Sequence, residues 1–220
     1  MKFLLLFLSL TSLAYSNETR VKIAVLDTGV DLETSKQSYM CEDGNIILDP
    51  QSTGFDVHGH GSNIASAIGE NIDPTKFCIV SYQIMSGEIP VSIFQNRLVR
   101  VKNDIIQRHI KFVNMSVQGD GRSLEEYYTL KAIVKSGAII SIAAGNHARN
   151  LDEKCDEYPA CYNTSLQSKN IHIVGANNTK WSNFGKFVKY SESGRWKRLS
   201  GTSQACALHT AKVVMEYYKN

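Results

Sequence analysis

The stretch VKIAVLDTGVD, residues 21–31, is an apolar run that ends in Asp27, Thr28 and Gly29. A short apolar run bounded by a turn signal is typical of a strand that is buried on both faces, as in a parallel sheet. The stretch therefore predicts a buried parallel strand with an acidic residue at its carboxyl end.

Similar runs follow along the chain and alternate with segments of helical periodicity. Strands are predicted at 78–85, 111–117, 138–146 and 171–176. Helices are predicted from near Gly61, over 91–110, over 123–137 with Ser123 as the cap, and from near Ser203 to the end. Strands that alternate with helices predict an α/β fold with a largely parallel sheet.

Composition limits the class of protein. The chain has 220 residues, of which 43% are hydrophobic and 20% charged, which suits one domain with a substantial core. Residues 1–16 have a single basic residue, an apolar run and small residues at the end, so we expect a secretory signal peptide and a single domain over 17–220. Without Lys2 the net charge is +2, which is too weak to indicate nucleic-acid binding.

Export permits disulfides, and the chain has five cysteines. Cys155 and Cys161 are close enough in sequence to close a short loop, which leaves Cys41 and Cys78 as the second candidate pair. Cys206 is then unpaired in the last helix. The alternative is five free thiols.

An acid, an imidazole and a hydroxyl are predicted at the edges of rigid elements. Asp27 follows the first strand, and His60 and Ser203 each open a helix. Such groups are what nucleophilic acyl transfer requires. Each also has a simpler interpretation: Asp27 as a turn residue, His60 with His58 as part of a metal site, and Ser203 as a helix cap.

Five segments in order strengthen the chemical interpretation. They are VLDTGVD, HGSNIASAI, VNMSV, AAGN and SGTSQACA, and together they resemble the successive signature blocks of the subtilisin-like serine proteases, the subtilases. The similarity extends from Val21 to about Met215. It implies a three-layer α/β fold with a mainly parallel central sheet flanked by helices.

The resemblance implies a role for each matching residue. Ser203 would be the nucleophile, His60 the base that takes its proton, and Asp27 the group that holds the imidazole. Asn146 would donate a hydrogen bond to the oxyanion, although a simple capping role stays open. The residues that would contact substrate are Ser116, Val117 and Gln118 as a pairing strand, Ala143, Ala144 and Gly145 as a pocket wall, and Glu157 as the pocket floor.

The chain also departs from the family pattern. Only four residues separate the expected leader from Val21, so we expect no folding propeptide. The family's calcium loop looks absent, and Lys36 stands where that site usually has an acid, so no metal or other cofactor is expected. Gln118 replaces a usual glycine and crowds the primary pocket.

These inferences predict a secreted or periplasmic serine endopeptidase, a monomer that acts on polypeptides and has no nucleic-acid or membrane partner. Glu157 predicts cleavage after Arg or Lys, unless its side chain turns outward. Two alternatives remain open, a non-catalytic peptide-binding pseudoprotease and an acyl transferase or peptide ligase on the same scaffold.

Overall fold

A seven-stranded sheet forms the centre of the computed structural model, which describes residues 18–33, 37–48, 54–86 and 91–219. Every pair of neighbouring strands in this sheet is parallel. The expected signal peptide, residues 1–16, and Lys36 lie outside the described residues.

The sheet has the order β2-β3-β1-β4-β6-β8-β9, and two small antiparallel ribbons, β5 with β7 and β10 with β11, lie outside it. The strands are β1 Val21–Asp27, β2 Met40–Ile47, β3 Phe77–Gln83, β4 Phe112–Met115, β5 Gly119–Asp120, β6 Ile139–Ala143, β7 Glu157–Tyr158, β8 Ile171–Asn177, β9 Tyr190–Ser193, β10 Arg195–Trp196 and β11 Leu199–Ser200. The five predicted strands are therefore confirmed; four are shorter than predicted, and β8 is one residue longer. The two edge strands, β2 and β9, were not predicted.

Helices cover both faces of the sheet, so the predicted three-layer α/β fold is confirmed. The helices are α1 His60–Gly69, α2 Val91–Gln107, α3 Leu124–Lys135, α4 Asn163–Leu166 and α5 Thr202–Tyr217. One apolar cluster joins α1 and α5 to the sheet, and a larger one joins α2 and α3 to its other face. In the described part of the chain, no helix is both long and apolar enough to span a bilayer.

The central strand β1 is buried on both faces, as its sequence predicts. Ile23 and Val25 belong to the cluster beneath α1 and α5, whereas Ala24 and Leu26 belong to the cluster beneath α2 and α3. Alternate residues of a strand point to opposite faces, so one apolar run supplies both cores. Asp27, the next residue, ends the strand.

A buried histidine of helix α5 contacts a half-buried histidine of the sheet. His209 is 4% exposed, and its Nε2 lies 3.0 Å from Nδ1 of His172 on β8. Tyr190 of β9 stacks on His172 with ring centroids 4.2 Å apart. Burial, followed by the neighbouring His172, lowers the pKa of His209 to about 4. His209 is thus a neutral packing residue of α5.

Both candidate disulfides are formed. Cys41 on β2 is bonded to Cys78 on β3, and Cys155 is bonded to Cys161 beside β7. Cys206 is free and buried in α5. The first bridge joins an edge strand to its neighbour across 37 residues of chain, whereas the second spans only six.

The two bridges should differ in their contribution to stability. Loop-closure entropy predicts that the double variant Cys41→Ala, Cys78→Ala loses about 4 kcal/mol of unfolding free energy, against about 2 kcal/mol for Cys155→Ala, Cys161→Ala. Urea denaturation of the parent and both variants measures the difference. An equal loss, or a larger one for the 155–161 variant, would show that local packing outweighs loop closure.

Candidate active site

The carboxylate of Asp27 lies fully buried at the end of β1, with 0% exposure. Its Oδ1 accepts hydrogen bonds from the Thr28 backbone N–H at 2.8 Å and from His60 Nδ1 at 2.7 Å. Its Oδ2 has no hydrogen-bond partner among the described residues. A carboxylate only accepts hydrogen bonds, so in the neutral imidazole of His60 the proton lies on Nδ1 and Nε2 keeps its lone pair.

A second buried acid fixes the helix that carries His60. Asp56 accepts hydrogen bonds from the Thr28 hydroxyl at 2.8 Å, from the Gly59 N–H at 2.9 Å, and from both the N–H and the hydroxyl of Ser62 at 2.7 Å. The carboxylate thereby satisfies free N–H groups at the start of α1 and joins them to the turn after β1. Sequence reasoning missed this role of Asp56.

The start of α1 approaches the turn after β1 backbone to backbone. The Gly61 N–H donates to the Thr28 hydroxyl at 2.9 Å. A Cβ atom on Gly61 would collide with the carbonyl oxygen of Gly29. Glycine is required at this position because no side chain fits between the helix and the turn.

The environment of His60 favours its charged form. Burial lowers the pKa of the imidazole, but the charge and hydrogen bond of Asp27, with a further contribution from Asp56, outweigh burial and raise the pKa above 6.5. His58 is exposed, and its ring centroid lies 6.1 Å from that of His60. Of these two histidines, His60 is the one that forms a hydrogen bond with Asp27.

Ser203 lies in the first turn of α5, at the same edge of the sheet. Its hydroxyl donates to the Ser116 carbonyl at 3.2 Å, and the Ser116 hydroxyl donates to the Ser203 carbonyl at 3.1 Å. Among the described contacts, the Ser203 hydroxyl bonds to Ser116 and not to His60. Gln204, the next residue, donates to Asn63 of α1 at 2.9 Å and so ties the two helices together.

The Asn146 side chain caps the same helix. Its Oδ1 accepts hydrogen bonds from the Thr202 N–H at 2.8 Å and from the Thr202 hydroxyl at 3.0 Å. These bonds fix the orientation of the amide. No hydrogen bond between described residues uses the Asn146 Nδ2 donor. Asn146 therefore has the capping role that the sequence left open. This role uses Oδ1 and leaves the Nδ2 N–H available for a ligand.

A buried asparagine holds the loop that contains Asn146. Asn183 donates from Nδ2 to the Ala144 carbonyl at 2.9 Å, and its Oδ1 accepts from the N–H groups of His147 and Arg149 at 3.0 and 2.9 Å. Gly145 has φ +101°, and a Cβ there would collide with Asn183. Sequence reasoning missed Asn183, because no local pattern links it to a loop 40 residues earlier.

Glu157 lies against the expected pocket wall and is only 2% exposed. Its Oε1 accepts a hydrogen bond from His147 Nδ1 at 2.6 Å and lies 3.4 Å from Nη1 of Arg149. Its Oε2 lies 3.1 Å from the point that a Cβ on Gly145 would occupy. The alternative in which Glu157 turns outward is therefore wrong. However, its carboxylate is shared with two neighbouring side chains, those of His147 and Arg149.

The expected pairing strand runs away from Ser203 along the surface. Ser116 and Val117 are buried, whereas Gln118 is exposed, and β5 continues the segment. Asp120 of β5 is opposite Glu157 of β7 in the antiparallel register. The expected site residues thus surround one surface at the carboxyl edge of the sheet.

Comparison with known proteins identifies the family of the chain. The model of the subtilase family, Peptidase_S8, matches residues 18–217. The chain belongs to the subtilase family. This match covers nearly all of the described residues, from before Asp27 to beyond Ser203.

Individual subtilases are distant in sequence. The chain is 24% identical to the major intracellular serine protease of Bacillus subtilis (strain 168), over 84% of this chain and 64% of that protein. It is 22% identical to an extracellular serine proteinase of Thermus sp. (strain Rt41A), over 82% of this chain and 46% of that protein. The chain therefore spans less than two thirds of the length of either relative.

Two solved structures have the same fold. A lanthipeptide protease superimposes with a TM-score of 0.72 and 19% identity, over 90% of this chain and 74% of the other. A cold-adapted subtilisin-like serine proteinase superimposes with a TM-score of 0.70 and 21% identity, over 91% and 76%.

The coupling of His60 to Asp27 can be measured directly. We expect the His60 imidazole to titrate above pH 6.5, and to titrate at lower pH in Asp27→Asn, because the variant removes the charge that stabilises the imidazolium. NMR titration of the ring protons measures both values. Asp73→Asn, at an exposed turn, is the control and should leave the pKa unchanged. An unaltered His60 pKa in Asp27→Asn would contradict the coupling.

Proposed function

We propose that this subtilase is a secreted serine endopeptidase that hydrolyses peptide bonds through Asp27, His60 and Ser203. The observation that carries the proposal is the 2.7 Å hydrogen bond between buried Asp27 and His60, at the sheet edge where Ser203 opens α5. The family match over residues 18–217 supports it independently.

Ser203 would act after a change of hydrogen-bond partner. In the free protein its hydroxyl bonds to the Ser116 carbonyl. Rotation toward His60 Nε2 would let the imidazole take the proton as Ser203 Oγ attacks the substrate carbonyl. Catalytic hydrogen bonds are often absent or long before substrate binds. Asp27 would stabilise the imidazolium that forms.

Negative charge on the substrate oxygen would be stabilised by two donors. One is the Asn146 Nδ2 group, whose amide is held in orientation by its bonds to Thr202. The other is the Ser203 backbone N–H at the start of α5, where the helix dipole also favours negative charge. Losing a side-chain donor of this kind costs roughly 10²–10³ in rate.

The remaining steps follow from the same groups. The imidazolium of His60 would give its proton to the leaving amine as the C–N bond breaks, which leaves an ester on Ser203. Water, deprotonated by His60, would then attack the ester and release the acid. The open edge from Ser116 to Gln118 would pair with the substrate backbone as an added strand.

Export is the part of the proposal that depends on the leader. The apolar sequence of residues 1–16 supports it, and the two disulfides suit an oxidising compartment. One similar protein is named extracellular and another intracellular, so this comparison favours neither location.

Removal of the nucleophile tests the proposal. Ser203→Ala should lower peptide turnover by at least ~10⁴-fold and abolish labelling by a fluorophosphonate, while circular dichroism stays unchanged. His60→Ala should lower peptide turnover as strongly, whereas His58→Ala, at an exposed histidine, should lower it only slightly.

Incubation with a mixed peptide library separates the alternatives. Shortened peptides would support hydrolysis, joined peptides would indicate a ligase, and untouched peptides would indicate a binding protein. Fluorophosphonate labelling that persists in Ser203→Ala would refute the assignment of the nucleophile.

We also propose that Glu157 selects Arg or Lys before the cleaved bond. Its Oε2 lies against Gly145, and a carboxylate in a partly closed pocket attracts a cation strongly because water is displaced. Arg149 competes for the same carboxylate at 3.4 Å, which reduces but does not cancel the attraction.

Substitution of Glu157 tests this preference. The ratio of kcat/KM for paired peptides with Arg or Phe before the cleaved bond should fall roughly tenfold in Glu157→Gln, since one charge-assisted hydrogen bond is lost. Asp156→Asn, the adjacent and more exposed carboxylate, is the matched control. A ratio that is the same in Glu157→Gln and the parent would mean that Glu157 does not contact the substrate side chain.

A further inference from the structure

The basic residues of this chain are concentrated in one part of the sequence. Residues 163–215 contain eight Lys and Arg residues and a single acidic residue, Glu192. The rest of the chain then holds 16 of the 24 basic residues and 20 of the 21 acidic ones. The small net charge is therefore the sum of two regions of opposite sign, and such an asymmetry indicates a charged partner.

Most of this positive charge is not neutralised within the protein. All eight basic residues are exposed. Two of them form ion pairs, Lys197 with Glu70 and Lys212 with Glu192. Among the described residues, no acidic side chain forms an ion pair with the other six, which are Lys169, Lys180, Lys186, Lys189, Arg195 and Arg198. Their charges are thus available to a ligand.

Five of these six cations line grooves at the two ends of β9, the last strand of the sheet. A groove of about 550 Å³ lies where β9 begins and is lined by Lys169, Lys186 and Lys189. A second groove of about 720 Å³ lies where β9 ends and is lined by Lys180 and Arg195. An extended anionic chain along β9 would therefore contact cations at both ends of the strand.

The acidic groups near β9 already have partners in the protein. Asp152 lines the first groove, and its carboxylate accepts the backbone N–H of Lys186 at 2.9 Å. Glu192 lies toward α5, where it is paired with Lys212 at 3.0 Å, and Glu216 lines a groove on that same side. The two grooves at the ends of β9 therefore keep more positive than negative charge.

The strand itself has an open edge. In the part of the chain that the structure describes, β8 pairs with one side of β9 and no strand pairs with the other. Ser191 and Ser193 are exposed. An unpaired edge is a template for another strand, because its N–H and C=O groups lack partners. A second copy of this chain is disfavoured there, since it would bring like charges together, whereas an acidic strand is favoured.

The open edge also selects the class of partner. Backbone N–H and C=O groups recognise an extended polypeptide, as in strand addition. A nucleic acid or an anionic polysaccharide would use the cations alone. The candidate active site contains Asp27, Asp56 and Glu157, so an acidic segment is favoured at β9 over that site.

We propose that the open edge of β9 binds an acidic segment of a partner polypeptide as an added strand, with the cations of the two grooves as its ionic partners. β9 has four residues and a strand rises ~3.3 Å per residue, so a segment of about eight residues reaches both grooves. The surface does not involve Asp27, His60 or Ser203. It can therefore be occupied whether or not the proposed endopeptidase function holds.

Peptide binding tests the proposal, and Ser203→Ala is the protein used because it cannot cut the probe. The probe is a fluorescent peptide of about eight residues that alternates Glu with Thr, and its Kd is measured by anisotropy at low ionic strength. The triple variant Lys169→Gln, Lys186→Gln, Lys189→Gln should bind the peptide roughly tenfold more weakly, since three surface ion pairs are lost.

A matched triple variant on α2 and α3 controls for net charge. Arg100→Gln, Lys131→Gln, Lys135→Gln removes three exposed cations far from β9 and should leave the Kd unchanged. An equal loss of affinity in both triple variants would show that net charge alone attracts the peptide, and would overturn the proposal. If the first triple variant fails to fold, Lys180→Gln, Arg195→Gln replaces it and should weaken binding at the other groove.

A modified probe tests the added strand. The same peptide with methylated backbone nitrogens keeps its charges but cannot donate hydrogen bonds to β9, so it should bind at least roughly tenfold more weakly. Equal binding of the two peptides would overturn the proposal. Heparin or phosphatidylglycerol vesicles that bind more tightly than the peptide, and lose affinity in the first triple variant, would also overturn it, because the surface would then recognise another class of polyanion.

Discussion

Burial of one carboxylate at the end of the central strand constrains the rest of this structure. Asp27 is fully enclosed, and an enclosed charge depends on hydrogen-bond donors for its stability. The Thr28 N–H and the His60 imidazole both donate to its Oδ1. Because His60 belongs to α1, the need to satisfy Asp27 determines where that helix begins. The start of α1 then fixes the turn after β1 through Asp56 and Thr28.

The rest of the site depends on a second helix, α5, which also begins at the carboxyl edge of the sheet. Asn146 caps this helix, and Gln204 ties it to α1 through Asn63. The nucleophile candidate and the imidazole are therefore attached to two helix starts, and the expected oxyanion donor to the loop after β6. Rigid elements position such groups better than loops do. The loop that carries Asn146 is itself braced by the buried Asn183.

The sequence predicted the parts of this architecture that have local signals. Apolar runs such as residues 21–26 predicted the buried strands. The ordered motifs predicted Asp27, His60 and Ser203 as candidate site residues. The edge strands β2 and β9 were missed because they mix polar residues into partly exposed segments without a continuous apolar run. Asn183 and Asp56 were missed as site residues for another reason. Each acts through at least one contact with a residue distant in sequence, and a lone buried polar residue has no local pattern.

The close approach of Gly61 to the Gly29 carbonyl identifies a position that cannot accept a side chain, in contrast to positions elsewhere that can. At that contact the spacing between imidazole and carboxylate is set by main-chain atoms, which have no rotamers to explore, and even one added methyl group would displace the helix. Gly119, beside the expected pairing strand, has open space around it. A side chain could be added there by mutation without disturbing the reacting groups. Selection can therefore change which polypeptides are recognised while the chemistry stays the same.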